Sequence, residues 1–156
     1  MTENEISKVV FDASLKVHKG LGPGLLENAY EECLFYELNK TGILVEKQVS
    51  LPLVYEEIKL DIGYRVDILV ERKFSIEVKA VEKLTDVHLA QLLTYLKLSG
   101  SKLGFLINFN VTMLKTGIKR VVNNLWFPLS MAFQRFLFKV KCLKYSLYPL
   151  WPLRNP

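Results

Sequence analysis

Two apolar segments separated by three charged residues limit the fold of this chain more than any other feature. Residues 60–70 and 74–78 are rich in Val, Ile and Leu, as strands are, and the charged residues 71–73 join them. A connection this short lets the two strands pair only as an antiparallel hairpin. The sequence therefore predicts a hairpin. Its register is assumed from a turn centred on Arg72, since a change of one residue in the turn length would break the pairing.

The predicted hairpin brings acidic and basic side chains together on one face of a sheet. With this turn, Asp67 lies directly opposite Glu77, and their Cβ atoms are about 5 Å apart. Lys79 follows Glu77 by two residues and shares its face, whereas Val66 and Ile68 are both expected on the opposite face. Two opposed carboxylates are destabilising unless a cation lies between them.

A divalent metal ion is the cation that this set of side chains favours. Mg²⁺ takes oxygen ligands, usually one or two carboxylates together with water and substrate phosphate. Asp67 and Glu77 can supply those carboxylates to Mg²⁺ or Mn²⁺, and Lys79 can orient or help deprotonate a water molecule that attacks a phosphodiester. The same spacing also occurs in solvated salt bridges on a sheet, so it does not by itself identify a catalytic site.

The hydrophobic pattern predicts a mixed α/β domain around this hairpin. Predicted helices cover residues 3–20, 25–41, 85–99 and 114–125, and predicted strands cover residues 43–49, 51–55, 60–70, 74–78 and 103–109. This order, ααββββαβα, favours a small mixed central sheet flanked by helices.

Polar residues on two of the predicted helices extend the candidate site. In the helix at 85–99, His88, Gln91 and Tyr95 form a polar stripe, and Gln91 and Tyr95 could hold phosphate or position the lysine. Glu27 lies near the start of the helix at 25–41, beside Tyr30. A surface stripe and an acid that complements the positive end of a helix explain these positions equally well.

Composition limits the cellular setting more than the substrate. The 156 residues suggest a single domain, and the two cysteines, Cys33 and Cys142, have no metal-binding spacing. Their number fits a reducing compartment, and the polar, acidic N-terminus is unlike a signal peptide, so a cytoplasmic location is expected. The net charge of +5 is no argument for nucleic-acid binding. All 16 acidic residues precede residue 126, and five of the 21 basic residues follow it, so residues 1–125 are electrically balanced.

The last 31 residues differ in character from the rest of the chain. Residues 126–138 are strongly apolar and aromatic, and basic residues and prolines follow. The run is short of the roughly 20 residues that a membrane span needs. Residues 126–156 are therefore expected to form an extension of a domain at 1–125. An interfacial amphipathic segment that associates with a membrane surface, a packed helix and a poorly ordered tail stay open as alternatives.

Several motifs, taken together, resemble one known family. Residues 24–30 read Gly-Leu-Leu-Glu-Asn-Ala-Tyr and match the motif that names the GxxExxY proteins, a branch of the PD-(D/E)xK nuclease-like superfamily. The similarity covers roughly residues 5–124 and includes the segments 64–67, 77–84, 91–96, 104–110 and 117–120. The usual proline before the first acid is replaced by Val66.

This resemblance implies a restriction-endonuclease-like core and a role for each candidate residue. It implies metal binding by Asp67 and Glu77, with Glu27 as an additional helix acid and third metal ligand. It also implies catalysis by Lys79 together with Asp67 and Glu77, and a Gln-x-x-x-Tyr motif at Gln91 and Tyr95. His88 and Tyr30 complete the candidate substrate-positioning set. The expected function is hydrolysis of DNA or RNA phosphodiesters with Mg²⁺ or Mn²⁺. The alternative is a nuclease-like domain with a weak or idle site that binds nucleic acid or protein, and homodimerisation stays open.

Overall fold

The computed structural model describes residues 1–123, and for residues 54, 55, 59 and 61–63 it describes the backbone only. The predicted extension at 126–156 lies outside the described residues. In chain order the elements are α1 (Glu3–Leu21), α2 (Glu27–Asn39), β1 (Val45–Tyr55), β2 (Ile58–Val70), β3 (Phe74–Lys79), α3 (Asp86–Ser99), β4 (Leu103–Asn108), α4 (Leu114–Gly117) and β5 (Ile118–Val122).

Within residues 1–123 the strands form one five-stranded mixed sheet in the order β1-β2-β3-β4-β5. The β3–β4 pair is parallel, with α3 as its crossover helix, and the other neighbouring pairs are antiparallel. Helices cover both faces of the sheet. The predicted α/β class with a mixed central sheet flanked by helices is therefore confirmed.

The two faces of the sheet have separate apolar cores. On the face covered by α1 and α2, here called the α1/α2 face, buried side chains from both helices pack on alternate residues of β3 and β4, namely Phe74, Ile76, Val78, Leu103, Phe105 and Ile107. On the opposite face, here called the α3 face, Leu92 and Leu96 of α3 pack on Leu106 of β4. This packing of helices on both faces of the sheet fixes α3 relative to the end of β3. The candidate site lies between α3 and the end of β3.

The end of the domain differs from the prediction. A helix was expected over residues 114–125, but the helix ends at Gly117, and residues 118–122 form the edge strand β5 on β4. Ile118, Val121 and Val122 are β-branched and favour strand geometry, and the free edge of β4 supplies backbone partners. Pairing with β4 therefore overrides the helical pattern.

The first strand also differs, because the two short strands expected at 43–49 and 51–55 are one strand, β1. Pro52 changes the register between Leu51 and Leu53 without ending the strand. This is possible because β1 lies at the edge of the sheet, where a residue without an N–H group is tolerated.

Candidate active site

The hairpin formed by β2 and β3 has the predicted register. Val70 pairs with Phe74 and Ile68 pairs with Ile76, and the N–H of Lys73 donates to the carbonyl of Val70 at 3.1 Å across the turn. The turn residues Glu71 and Arg72 have φ values of 51° and 53°, in the left-handed region that tight hairpin turns use. The three-residue connection therefore sets the register as expected.

Asp67 does not form a regular cross-strand pair with Glu77. The β2–β3 ladder ends at Ile68 and Ile76, and beyond it the Asp67 Oδ2 accepts a hydrogen bond of 2.8 Å from the N–H of Val78. The carboxylate thus takes the place that a β2 carbonyl would have in a continued ladder. The side chain of Asp67 is thereby held beside β3, at the residue that follows Glu77.

The expected alternation of β2 is wrong at this point. Val66 packs with Tyr95 on the α3 face, whereas Ile68 packs in the core of the α1/α2 face. In a regular strand two residues separated by one position share a face. The strand therefore turns over at Asp67, and Val66 and Ile68 do not point the same way.

Glu77 and Lys79 form a buried ion pair at the end of β3. The Lys79 Nζ donates to Glu77 Oε1 at 2.7 Å, and Glu77 is only 2% exposed. The second carboxylate oxygen of Glu77, Oε2, is buried without a hydrogen-bond partner among the described residues. Buried oxygens of this kind are rare because losing water without gaining a donor is costly. A proton, a cation or a donor such as a water molecule would satisfy this oxygen.

The two carboxyl groups have raised pKa values. Burial raises the pKa of Asp67 to about 6, against the hydrogen bond from Val78, and the charge of Glu31 adds to the rise. Burial raises the pKa of Glu77 to about 7, and the charge of Asp67 adds to it. The site therefore holds negative charge poorly until a cation is present.

The Lys79 ammonium is stabilised in its charged form. Burial acts to lower its pKa, but the hydrogen bond to Glu77 and the charges of Glu77, Glu27 and Asp67 outweigh burial and leave the pKa raised. A lysine in this state donates hydrogen bonds and does not accept a proton. Of the two roles expected for Lys79, the raised pKa favours orientation over deprotonation.

Gln91 and Tyr95 lie on α3 next to the acids. The Gln91 amide donates to the Tyr95 hydroxyl at 2.8 Å. Burial raises the pKa of the Tyr95 phenol, and the charges of Glu77 and Asp67 contribute to the rise, so the ring is close to both. His88 has a different place, since its Nδ1 accepts a hydrogen bond of 3.2 Å from the Thr85 N–H at the start of α3. The His88 ring thus caps the helix.

Glu27 reaches the site from the other side of the sheet. It is the first residue of α2, two residues later than the predicted helix start, and its Oε1 accepts a hydrogen bond of 3.1 Å from the Ala80 N–H directly after Lys79. Tyr30, one turn further on, is fully buried and stacks on Phe109 with ring centroids 4.6 Å apart. Tyr30 therefore supports the fold here and is not exposed to a substrate.

The Tyr30 hydroxyl fixes the loop that leads to Glu27. It donates to the Gly22 carbonyl at 2.6 Å and accepts from the Leu25 N–H at 3.1 Å. Tyr30→Phe is expected to lower the free energy of unfolding by about 1–2 kcal/mol, because both loop groups lose their partner. Urea unfolding checks this, with Tyr36→Phe on the exposed face of α2 as control. Equal losses in the two variants would contradict this role.

Three residues near the site were absent from the set of predicted site residues. Glu31 of α2 acts electrostatically on Asp67, and Gln48 of β1 donates to Glu31 Oε1 at 2.7 Å. Asn108 is buried at the end of β4 and binds the backbone of Val81 through both ends of its amide, at 2.7 Å and 3.1 Å. The register that pairs Asn108 with Lys79 depends on the parallel β3–β4 contact, for which the sequence carries no local signal.

The donor set fits a divalent metal with few protein ligands. Residues 1–123 contain no cluster of three or more His, Cys, Asp or Glu side chains arranged to hold a metal ion. Glu27 is therefore not grouped with Asp67 and Glu77 as the predicted third ligand in this structure. The two carboxylates of Asp67 and Glu77, the second with one buried oxygen that has no partner among the described residues, nevertheless match the sparse ligand set that Mg²⁺ takes when phosphate and water supply the rest.

Comparison with known families identifies the fold to which this site belongs. The family model of the PD-(D/E)XK nuclease superfamily matches residues 4–121, most of the chain. The chain belongs to the PD-(D/E)XK nuclease superfamily. A comparison with curated proteins gives no match. The resemblance inferred from the sequence is thus confirmed at the level of the superfamily, and its members' chemistry indicates nuclease activity and a nucleic-acid substrate.

None of the helices within residues 1–123 is both long enough and apolar enough to cross a membrane.

Proposed function

We propose that this protein is a Mg²⁺- or Mn²⁺-dependent nuclease that hydrolyses phosphodiester bonds, and that it belongs to the GxxExxY branch of its superfamily. The observation that carries this proposal is the Glu77 carboxylate. One of its oxygens accepts a hydrogen bond from Lys79 at 2.7 Å, and the other is buried without a partner among the described residues. The next residue, Val78, donates its N–H to Asp67 and so holds the second carboxylate nearby. A structural salt bridge needs no such oxygen.

Asp67 and Glu77 are the residues that would hold the metal ion. When bound, a divalent metal supplies Lewis-acid chemistry, because it lowers the pKa of water and offsets negative charge on phosphate oxygens. The hydrogen bond from Val78 and the ion pair with Lys79 fix the two carboxylates in place before any ligand arrives. This preorganisation reduces the rearrangement needed on binding.

Lys79 serves as a positioned cation. An ammonium group has three donors, and Glu77 takes one of them, which leaves donors for the attacking water or a phosphate oxygen. Gln91 and Tyr95 position the phosphate or the lysine from α3, since Tyr95 is close to Glu77 and Asp67. Glu27 acts at the edge of the site, where it supports the water shell of a metal ion and holds the backbone after Lys79.

Replacement of Lys79 tests the proposal. Purified full-length protein is expected to cleave at least one of single-stranded or double-stranded DNA or RNA with Mg²⁺ or Mn²⁺, and not with EDTA. Lys79→Ala is expected to reduce the rate by about 100-fold or more, because one fixed donor to the reacting groups is lost. Lys83→Ala, four residues later and exposed, is the matched control and should retain the rate.

Three outcomes would contradict the proposal. Cleavage that persists in EDTA would exclude metal dependence, and equal rates for wild type and Lys79→Ala would exclude this site. Nucleic-acid binding without cleavage under any metal would identify the chain as a binding domain with an idle site.

A further inference from the structure

The ribbon formed by β1 and β2 turns over near the middle of both strands. On β1, Lys47 still reaches α2 through an ion pair with Glu32, whereas Val49 already packs on the α3 face. On β2, Val66 lies on the α3 face and Ile68 on the α1/α2 face. Residues separated by one position normally share a face of a strand. The reversal therefore falls on a single residue of each strand.

Those two residues are Gln48 and Asp67. The pairs on either side of them keep one register, so no extra residue is inserted, but the ladder is interrupted between these pairs. Gln48 has a φ of 53°, in the left-handed region that glycine favours and that costs other residues free energy. A residue inside a strand adopts this conformation only when its surroundings hold it there.

The turn-over gives Asp67 its direction. In a continuous ribbon the Asp67 side chain would project from one face of the sheet. At the reversal its carboxylate instead lies toward β3, where Oδ2 accepts the hydrogen bond of 2.8 Å from Val78. Asp67 thereby comes next to Glu77, whose pKa its charge raises.

The side chain of Gln48 explains what holds the strained backbone. Its amide donates to Glu31 Oε1 at 2.7 Å, which ties β1 to α2 at the position of the reversal. Glu31 is half-buried and acts on Asp67 through its charge. A glycine would adopt the backbone conformation without strain, but it would lack this anchor.

We propose that Gln48 is a positioning residue of the active site, because its left-handed backbone turns the β1–β2 ribbon over and thereby directs Asp67 at β3. The contribution to catalysis rests on the proposed nuclease function, whereas the contribution to the direction of Asp67 does not. The two can be measured separately in the full-length protein.

The test compares Gln48→Gly with Gln48→Val. In an ordinary strand position Val is favoured over Gly, but in the left-handed region the order is reversed. The first measurement is the hydrogen-exchange rate of the Val78 amide in metal-free protein, since this N–H donates to Asp67. The second is kcat and KM for nucleic-acid cleavage. Ser50→Val, two residues later on the same strand and exposed, is the matched control.

We expect Gln48→Gly to resemble wild type more closely than Gln48→Val does, which is the reverse of the order at an ordinary strand position. Gln48→Gly should keep the Val78 exchange rate within about 3-fold of wild type, and Gln48→Val should raise it by about 10-fold or more. The kcat of Gln48→Val should fall by about 100-fold with KM nearly unchanged, because displacement of a reacting group by about 1 Å costs this much. If Gln48→Val does not fold, Gln48→Ala applies the same comparison with a smaller side chain.

Other results would overturn the proposal. A Val78 amide that exchanges equally in all variants, or more slowly in Gln48→Val than in Gln48→Gly, would show that the left-handed backbone does not direct Asp67. A reversed order in exchange, together with a wild type that cleaves no nucleic acid, would leave the positioning intact and refute the nuclease function alone.

Discussion

Glu77→Gln is expected to abolish metal-dependent cleavage and to make the metal-free protein more stable at pH 8. Glutamine keeps the shape of the side chain and an oxygen that accepts from Lys79, but it removes the charge that would hold the metal ion. Loss of a metal's contribution of several kcal/mol corresponds to about a 1000-fold or greater reduction in rate. Removing the charge has the opposite effect on folding, because Glu77 is 2% exposed and lies beside Asp67.

The sign of the stability change follows from the raised pKa of Glu77. Burial raises this pKa from its ordinary value of 4.5 to about 7. Between these values the folded protein binds more protons at Glu77 than the unfolded chain does, so this residue's contribution to stability falls as the pH rises from 4.5 to 7. Glutamine resembles the protonated acid at every pH. The free energy of unfolding of the variant should therefore exceed that of wild type by about 1–3 kcal/mol at pH 8 and by little at pH 4.5.

Urea unfolding in EDTA at the two pH values measures this difference. Subtracting wild type from variant removes the contributions of titrating groups that do not interact with Glu77. Glu82→Gln, exposed and five residues later, is the control and should give no difference at either pH. A Glu77→Gln variant that is less stable than wild type at pH 8 would mean that the ion pair with Lys79 outweighs the cost of burying the charge.

Gly104→Ala is expected to destabilise the protein by about 3 kcal/mol, a large effect for one added methyl group. Gly104 pairs with Ser75 across the parallel β3–β4 contact and lies under α3. A Cβ atom there would be 2.5 Å from the Ser75 carbonyl oxygen and 3.0 Å from a methyl group of Leu96. The backbone oxygen cannot move without shifting β3, which carries Glu77 two residues further on.

Gly20→Ala is the matched control for Gly104→Ala. Gly20 lies in α1, and a Cβ atom there would meet nothing within 4 Å. Alanine is a better helix former than glycine, so this variant should gain about 0.5–1 kcal/mol. Chemical unfolding of both variants measures the contrast. A Gly104→Ala variant as stable as Gly20→Ala would mean that α3 and β3 adjust freely.

Much of the candidate site could be predicted from local pattern. The alternation and spacing around Glu77 and Lys79 depend on one short turn, and the structure has the register that was assumed for a turn centred on Arg72. The polar pair Gln91 and Tyr95 followed from helical periodicity, and the structure joins their side chains. His88 and Tyr30 fitted the same patterns, but a pattern does not distinguish a side chain that faces substrate from one that caps a helix or fills a core.

Contacts distant in sequence decided the rest. The edge strand β5 was predicted as helix because only the exposed edge of β4 selects the extended form. Gln48 gave no signal, since glutamine is not a residue that marks a left-handed conformation and its partner Glu31 is in another element.

The sequence by itself determined that Asp67, Glu77 and Lys79 meet on a hairpin within a mixed α/β fold, because turn length and strand alternation are local properties. Only the tertiary structure decided how they meet. Asp67 is directed at β3 by a reversal of the ribbon, and one oxygen of Glu77 is buried without a partner among the described residues. Both features depend on packing from two sides of the sheet. A strained backbone and a carboxylate oxygen without a donor are unfavourable by themselves, and they persist because packing in the rest of the fold stabilises the structure around them.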